Sequence, residues 1–244
     1  MRNYDLIAPV YARDMGASMP FDDAGYYIQV AHQNGGPVLE LGCGSGRILG
    51  RLIDAGIDAS GIDQSLPMLR LARKRCGPTA ALLQMDMRAM ALRRHFSLAL
   101  LPYSLATYLL SESDWQRCAD GIRATLLPTG QVMLDAFIPR PQSDSNGWQR
   151  DYARPGETGW LVRHKRIRPQ ADGSNIIERR YRLRGTFEGR TLLTRERIQP
   201  LSPERLRAVG ERYFGRLQRL DYDYQPGSQR KADSRFCSAL FAID

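Results

Sequence analysis

The chain has 244 residues, 43% of them hydrophobic and 25% charged, with a formal net charge of +9. These values suit one large α/β domain, or such a domain with an appendage, and no apolar run approaches the roughly 20 residues of a membrane-spanning helix. Tyrosines and charges interrupt the opening "MRNYDLIAPVYARDMG", so it lacks the apolar core of a signal peptide and a cytoplasmic location is expected. Cys43, Cys76, Cys118 and Cys237 lie far apart without CxxC spacing, and the histidines are only His32, His95 and His164. Neither a zinc site nor a disulfide framework is indicated, and the cysteines read as buried thiols.

Residues 1–34 read as helices and a loop, with "DDAGYYIQVAHQNGG" a helix stopped at Asn34-Gly35-Gly36. Pro37 opens the buried strand "VLEL", and "GSGRILGRLIDAG" follows as a helix closed by Gly56. "DASGID" gives a second strand ending at Asp63, and "SLPMLRLARKRC" a helix with Ser65 as N-cap. "AALLQMD" is a third strand ending at Asp86, "FSLALLPYS" a fourth, "ESDWQRCADGIRATLLPTG" a helix and "GQVMLDAF" a fifth strand. Strand and helix alternate five times, which predicts a doubly wound parallel sheet with helices on both faces. Right-handed crossovers then bring every strand's C-terminal end to one edge. Glu40–Gly42, Asp63, Asp86, Tyr103 and Asp135–Phe137 are expected to meet there.

After Arg140 the pattern changes. "PRPQSDSNGWQRDYARPGETG" reads as loop, followed by three β-rich runs, "WLVRHKRIRP", "NIIERRYRLRGTF" and "TLLTRERIQ", joined as hairpins by "QADGSN" and "EGR". "SPERLRAVGERYF" is a helix, and "RLQRLDYDY" and "RFCSALFAI" are two final strands. The organisation is a Rossmann-like core over 1–140, an antiparallel β lid over 141–200, and a helix and two strands over 201–244 that complete the core.

The segment "VLELGCGSGR" raises a chemical question. Gly42 permits a tight turn, Gly44 lets a ligand approach the main chain, and Gly46 allows the helix to pack close to the strand. A pyrophosphate reading is disfavoured, because Glu40 precedes the glycines and Arg47 occupies the sixth position of the run. A carboxylate there suits a cationic ligand. Asp63, about twenty residues on, can accept both hydroxyls of a ribose. Asp86 can accept an exocyclic amine, with Met68 and Met87 flanking a flat ring.

Taken together, "VLELGCGSGR", "GIDQSLPMLRLAR" and "LLQMDMRAM" resemble the first three motifs of class I S-adenosylmethionine-dependent methyltransferases, and "LLPTG" with "QVMLDAF" resembles their fifth-strand turn. The resemblance covers residues 22–138. It implies a seven-stranded sheet with strand seven antiparallel, and S-adenosylmethionine as cofactor. Glu40, Gly42 and Gly44 would hold the cofactor's amino-acid end. Asp63 would take the ribose, with Gln64 and Met68 beside the adenine. Asp86 would take the adenine amine, Met87 would offer a backbone N–H, and Leu101 and Pro102 would supply main chain near the amino group. Tyr4 and Tyr11, in "YDLIAPVYAR", match the segment that closes over the methionine part. The turn after Pro128 is Thr129-Gly130 rather than the usual Gly-Gly.

The β-rich runs resemble the antiparallel lid of small-molecule methyltransferases, such as glycine and amino-sugar N-methyltransferases. Tyr103, after strand four, is the candidate catalytic residue, orienting the acceptor. Tyr108 and His164 are further candidate acceptor contacts, His164 because its pKa lies near neutrality. No metal ligand is assigned. Residues 151–199 hold 12 Lys and Arg against 6 Asp and Glu, so this stretch carries six of the nine net charges. That excess fits an anionic acceptor or RNA, a solvated outer face, or subunit contacts in a homodimer. Strand four ends "LLPYS", not the Asn/Asp-Pro-Pro-Tyr/Phe of enzymes acting on base amines, which favours a small-molecule nitrogen or oxygen over RNA. A non-methylating scaffold or cyclase is the remaining alternative. The lid is expected to reach the methyl group from the acceptor side only.

Overall fold

The computed structural model describes residues 3–140, 147–156, 159–185 and 191–243. The core begins with helices α1 (Asn3–Ser18) and α2 (Asp23–Asn34). Asp22 caps α2 by accepting from the Gly25 N–H, and Gly35 ends it in the left-handed conformation (φ 73°). Strand and helix then alternate through β1 (Val38–Leu41), α3 (Arg47–Asp54), β2 (Ala59–Asp63), α4 (Leu66–Cys76), β3 (Ala81–Gln84) and β4 (Phe96–Leu101). A 3₁₀ turn (Leu105–Tyr108) and α5 (Glu112–Thr125) lead into β5 (Leu126–Phe137). Ser65 caps α4 as expected from the sequence, accepting from the Met68 N–H at 3.4 Å.

Two assignments shift. Strand β3 ends at Gln84, so Asp86 lies in the loop beyond it. Strand β5 starts at Leu126, inside the segment read as the end of a helix. Pro128 and Gly130 are tolerated there because the β4–β5 register jumps from Phe96↔Leu126 to Leu98↔Gln131, so the turn-forming residues bulge out of the ladder.

The large sheet has seven strands in the order β10-β11-β5-β4-β1-β2-β3, with β10 (Gly215–Tyr222) and β11 (Phe236–Ile243) last in the chain. Strand β11 runs antiparallel to both β5 and β10, and helix α6 (Pro203–Tyr213) precedes the pair. Each face of the sheet carries a core, and β4 shows the two-residue period that builds them. Ala99 and Leu101 face α5 and α6 with Trp115, Ile122 and Leu206. Leu98 and Leu100 face α2 and α3 with Tyr27, Val30 and Leu52.

The second sheet is antiparallel, in the order β6-β7-β8-β9, from β6 (Gln149–Gly156), β7 (Gly159–Pro169), β8 (Asn175–Gly185) and β9 (Thr191–Ile198). It has four strands rather than the three read from the sequence. The extra one, "QRDYARPG", lies in the stretch that reads as loop, and as an edge strand it accommodates Pro155. The "EGR" turn at 188–190 lies outside the described residues. Basic side chains of this sheet share its carboxylates. Arg163 and Lys165 pair with Asp151 at 2.7 and 3.0 Å, Arg166 with Glu178 at 2.7 Å, and Arg179 with Glu196 at 2.5 Å. The positive charge of this region is therefore partly neutralised within it.

Helix α1 lies between the two sheets. Ile7 and Val10 pack with Leu161 and Tyr181 of the lid, and Ser65 at the head of α4 donates to Asp5 at 2.6 Å. The helix carrying Tyr4 and Tyr11 thus rests on the second sheet.

Candidate active site

The turn after β1 puts three glycines at positive φ: Gly42 at 63°, Gly44 at 55° and Gly46 at 75°. Their surroundings differ. A Cβ on Gly42 would press on the Leu105 side chain at 2.8 Å, while one on Gly44 would meet only Gly42 O, at 3.9 Å. Gly44 thus leaves its open side to the cavity it lines. A Cβ on Gly46 would approach Cys76 Sγ at 2.7 Å and Ala72 Cα at 3.1 Å. Gly46 therefore permits close packing of α3 on α4, not of helix on strand as the spacing suggested. The Asp63 carboxylate ties the loop together. Its Oδ2 accepts from the Gly44 N–H at 2.9 Å and its Oδ1 from the Ser65 N–H at 2.7 Å.

Glu40 points to the same side of β1 as Val38 and is 2% exposed. Its Oε2 has no hydrogen-bond partner among the described residues. Burial pushes its pKa up to about 8, against the opposing pull of Arg47. Arg47 itself is clamped in two hydrogen bonds of 2.6 Å to the buried Asp23. An acidic group held in this way, with an unmatched oxygen, gains from a cationic ligand. The cradle thus fits a sulfonium-bearing amino acid better than a pyrophosphate.

A single cavity of about 970 Å³ runs from this cradle to the lid. Tyr4, Tyr11, Glu40, Gly42, Gly44, Asp63, Gln64, Met68, Asp86, Met87, Pro102, Tyr103 and Tyr108 all line it. Asp86 also holds Arg88, at 2.8 Å. Leu101, expected to offer main chain only, buries its side chain in the core beneath α5 and α6. One residue expected at the site stands apart. His164 is not among the residues lining the cavity, whereas its neighbours Arg163, Lys165 and Arg166 are. Partial burial and the guanidinium groups of Arg180, Arg182 and Arg150 push its pKa down. The acceptor role expected for His164 is withdrawn.

Sequence reasoning missed two groups. Tyr103 and Ser104 adopt φ of 54° and 60°, rare for residues with a Cβ. The fully buried Asp135 at the end of β5 holds them, accepting from the Ser104 N–H at 2.5 Å and from the hydroxyl of Tyr224 at 2.6 Å, and also from that of Tyr27. A lone Asp within "QVMLDAF" was a signal, but its partners lie far off in sequence. The second group joins Tyr108 to the lid. Tyr108 donates to Glu196 Oε2 at 2.9 Å and contacts the Tyr4 hydroxyl at 2.7 Å. The Tyr4 and Tyr11 rings meet edge-on at 5.3 Å. Burial keeps the hydroxyls of Tyr4, Tyr11 and Tyr108 protonated, their pKa values raised well above 10.

Residues 38–130 match the methyltransferase domain family. The chain is 32% identical over 100 residues to dTDP-3-amino-3,6-dideoxy-alpha-D-glucopyranose N,N-dimethyltransferase of Streptomyces fradiae, covering 41% of this chain and 39% of that protein. It is 28% identical over 145 residues to dTDP-3-amino-3,4,6-trideoxy-alpha-D-glucopyranose N,N-dimethyltransferase of Streptomyces venezuelae, covering 59% and 60%. The matched regions thus span about half the length of these curated relatives. Among solved structures, the CcbJ methyltransferase from Streptomyces caelestis superposes with a TM-score of 0.82 at 22% identity, covering 100% of this chain and 99% of that one. The amino pentose methyltransferase CalS10 from Micromonospora echinaspora, solved with S-adenosylmethionine bound, gives 0.72 at 19% identity, covering 95% and 96%. The match over residues 38–130 is thus to a methyltransferase domain, and the chain shares its fold with solved S-adenosylmethionine-dependent methyltransferases.

Proposed function

We propose that this protein methylates the amino nitrogen of a small-molecule acceptor, with an amino sugar as the substrate class. The carrying observation is the continuous cavity between the glycine cradle and the lid, which has room for a cofactor and a compact acceptor. The names of the curated relatives support nitrogen over oxygen. The pairing of basic lid residues with lid carboxylates weakens the case for RNA.

S-adenosylmethionine supplies a methyl group already activated by the sulfonium charge. The residues of this chain bind, align and exclude water. Glu40, Gly42 and Gly44 hold the amino-acid end, and Asp63 holds the ribose through the oxygens that also receive the Gly44 and Ser65 N–H groups. Gln64, Met68, Asp86 and Met87 surround the adenine, and Pro102 lies near the amino group. Tyr11, Tyr103 and Tyr108 wall the acceptor space, with the Tyr103 turn fixed by Asp135. Such alignment supplies several kcal/mol of the acceleration, without an acid–base triad.

The test is incubation of the purified protein with S-adenosylmethionine and a panel of amino sugars, free and nucleotide-linked, beside matched hydroxyl compounds and bulk tRNA. S-adenosylhomocysteine release and a mass gain of one or two methyl groups on an amine are expected. Methylation of only the hydroxyl compounds or the tRNA would overturn the assignment. Asp63→Ala should weaken S-adenosylhomocysteine binding by about 1–3 kcal/mol, the cost of losing hydrogen bonds to a charged acceptor. Unchanged affinity by calorimetry in a folded variant would remove Asp63 from the ribose site.

A further inference from the structure

We propose that Tyr4, Tyr108 and Glu196 form a proton relay that strips the acceptor ammonium before methyl transfer, with Glu196 as the terminal base. The proposal rests on the amine reading above and assigns a role to a lid residue outside the recognised motifs.

Donor directions along the chain are fixed by chemistry. Glu196 is a carboxylate and accepts only. Its Oε2 receives the Tyr108 hydroxyl at 2.9 Å and the Arg179 guanidinium at 2.5 Å. Tyr108 has one hydroxyl proton, committed to Glu196, so the 2.7 Å contact with Tyr4 must be donated by Tyr4. The Tyr4 oxygen is thereby left with lone pairs and no proton to offer. Tyr4 lines the cavity, and its oxygen offers a hydrogen-bond acceptor, which suits an N–H donor. Glu196 also lines the cavity and is 7% exposed, and its Oε1 has no hydrogen-bond partner among the described residues. A carboxylate so buried and half-satisfied is costly unless it serves a purpose.

The chemistry supplies that purpose. An alkylammonium with the pKa of a lysine side chain, about 10.4, is almost wholly protonated at neutral pH, and its lone pair cannot attack a methyl group. In the relay the ammonium N–H bond breaks and its proton passes to Tyr4 Oη. The Tyr4 proton passes to Tyr108 Oη, and the Tyr108 proton to Glu196 Oε2. The tyrosines end as they began, the amine is neutral and Glu196 is a carboxylic acid, so charge and atoms balance. The groups facing Glu196 are Arg179 on β8, Tyr108 on the 3₁₀ turn, and Tyr4 and Tyr11 on α1, with Tyr181 beside Arg179. Arg179 keeps its charge throughout, because a guanidinium does not lose its proton in the working pH range even when Glu196 is neutral.

The test compares wild type, Glu196→Gln, Tyr108→Phe and the double variant over pH 7–9 with the same amine acceptor. Glutamine keeps an acceptor oxygen for Tyr108 and Arg179 but takes no proton. S-adenosylhomocysteine binding and the melting temperature show whether each variant is folded. Expected at pH 7 is a loss of about a hundredfold in kcat/KM for each single variant, with the double variant no worse than either. The variants should recover about tenfold per pH unit as free amine accumulates, while the wild type levels off. A folded Glu196→Gln enzyme with wild-type rate and pH profile overturns the relay and leaves the amine function standing. A uniform loss with no recovery at high pH, or additive losses in the double variant, also overturns it and assigns Glu196 a structural role. A wild type that methylates no amine overturns both proposals.

Discussion

Gly44→Val should abolish useful cofactor binding while leaving the protein folded. Two effects add at this position. Gly44 has φ 55°, a conformation that costs a residue with a Cβ about 1–2 kcal/mol and a β-branched one more. An added Cβ would also meet no atom beyond the adjacent residues closer than 3.9 Å, so the side chain enters the cavity that Gly44 lines, where the cofactor's amino-acid end is proposed to lie. Affinity for S-adenosylhomocysteine is expected to fall by more than about a hundredfold, or about 2.7 kcal/mol. The control is Gly56→Val. Gly56 has φ 77°, open space around its missing Cβ, and a place at the end of α3 away from the cavity. It imposes similar backbone strain without steric entry into the site. Calorimetry should show near wild-type binding for Gly56→Val and none for Gly44→Val. Equal affinities in the two variants would mean that the ligand does not approach the main chain at Gly44.

The same contrast explains what was legible in the sequence. The glycine run, the acidic strand ends and the strand–helix alternation are local signals, and each has a local physical cause. Ser65 starts a helix and Gly35 stops one through bonds that span a few residues. Alternation and crossover handedness bring the parallel strand ends to one edge, while the seven-strand order is what the family resemblance implies. What stayed hidden depends on partners distant in the chain. Asp135 reads as one polar residue in a strand until Tyr27, Tyr224 and Ser104 close on it. Glu196 reads as one acid in the basic run "LLTRERIQ" until Arg179 and Tyr108 reach it. Strand β6 hid because Pro155 and Gly156 are loop residues by composition, while position at the sheet edge relieves Pro of its missing donor. His164 shows the converse. Its residue type suggests chemistry, yet it is not among the residues that line the cavity.

Excision of the lid tests how far these distant contacts matter. From sequence order alone, replacing the lid with a short Gly/Ser linker should spare the cofactor and destroy only transfer. The packing of α1 changes that expectation. Ile7 and Val10 bury their side chains with Leu161 and Tyr181, and the Asn3 side chain donates to the Arg195 carbonyl at 2.5 Å. Removing residues 149–198 returns two aliphatic side chains of α1 to water, at about 1.5–3 kcal/mol each if fully exposed. Helix α1 keeps its contact with α4, including Asp5 on Ser65, so part of the loss is recovered when it settles there. S-adenosylhomocysteine affinity should therefore drop by about ten- to a hundredfold, or about 1.4–2.7 kcal/mol. Acceptor turnover should fall much further, by about a thousandfold or more, because alignment, water exclusion and the Tyr108–Glu196 contact go together. Circular dichroism and a cooperative melt report whether the seven-stranded sheet survives. Ile7→Ala in the full-length chain separates the two effects, since it loosens α1 and keeps the lid. It should lower cofactor affinity several-fold with a smaller loss of turnover. A folded truncate that binds S-adenosylhomocysteine as tightly as wild type would show that α1 does not need the lid. One that still methylates at near wild-type rate would make the second sheet an interaction surface rather than the roof of the acceptor site.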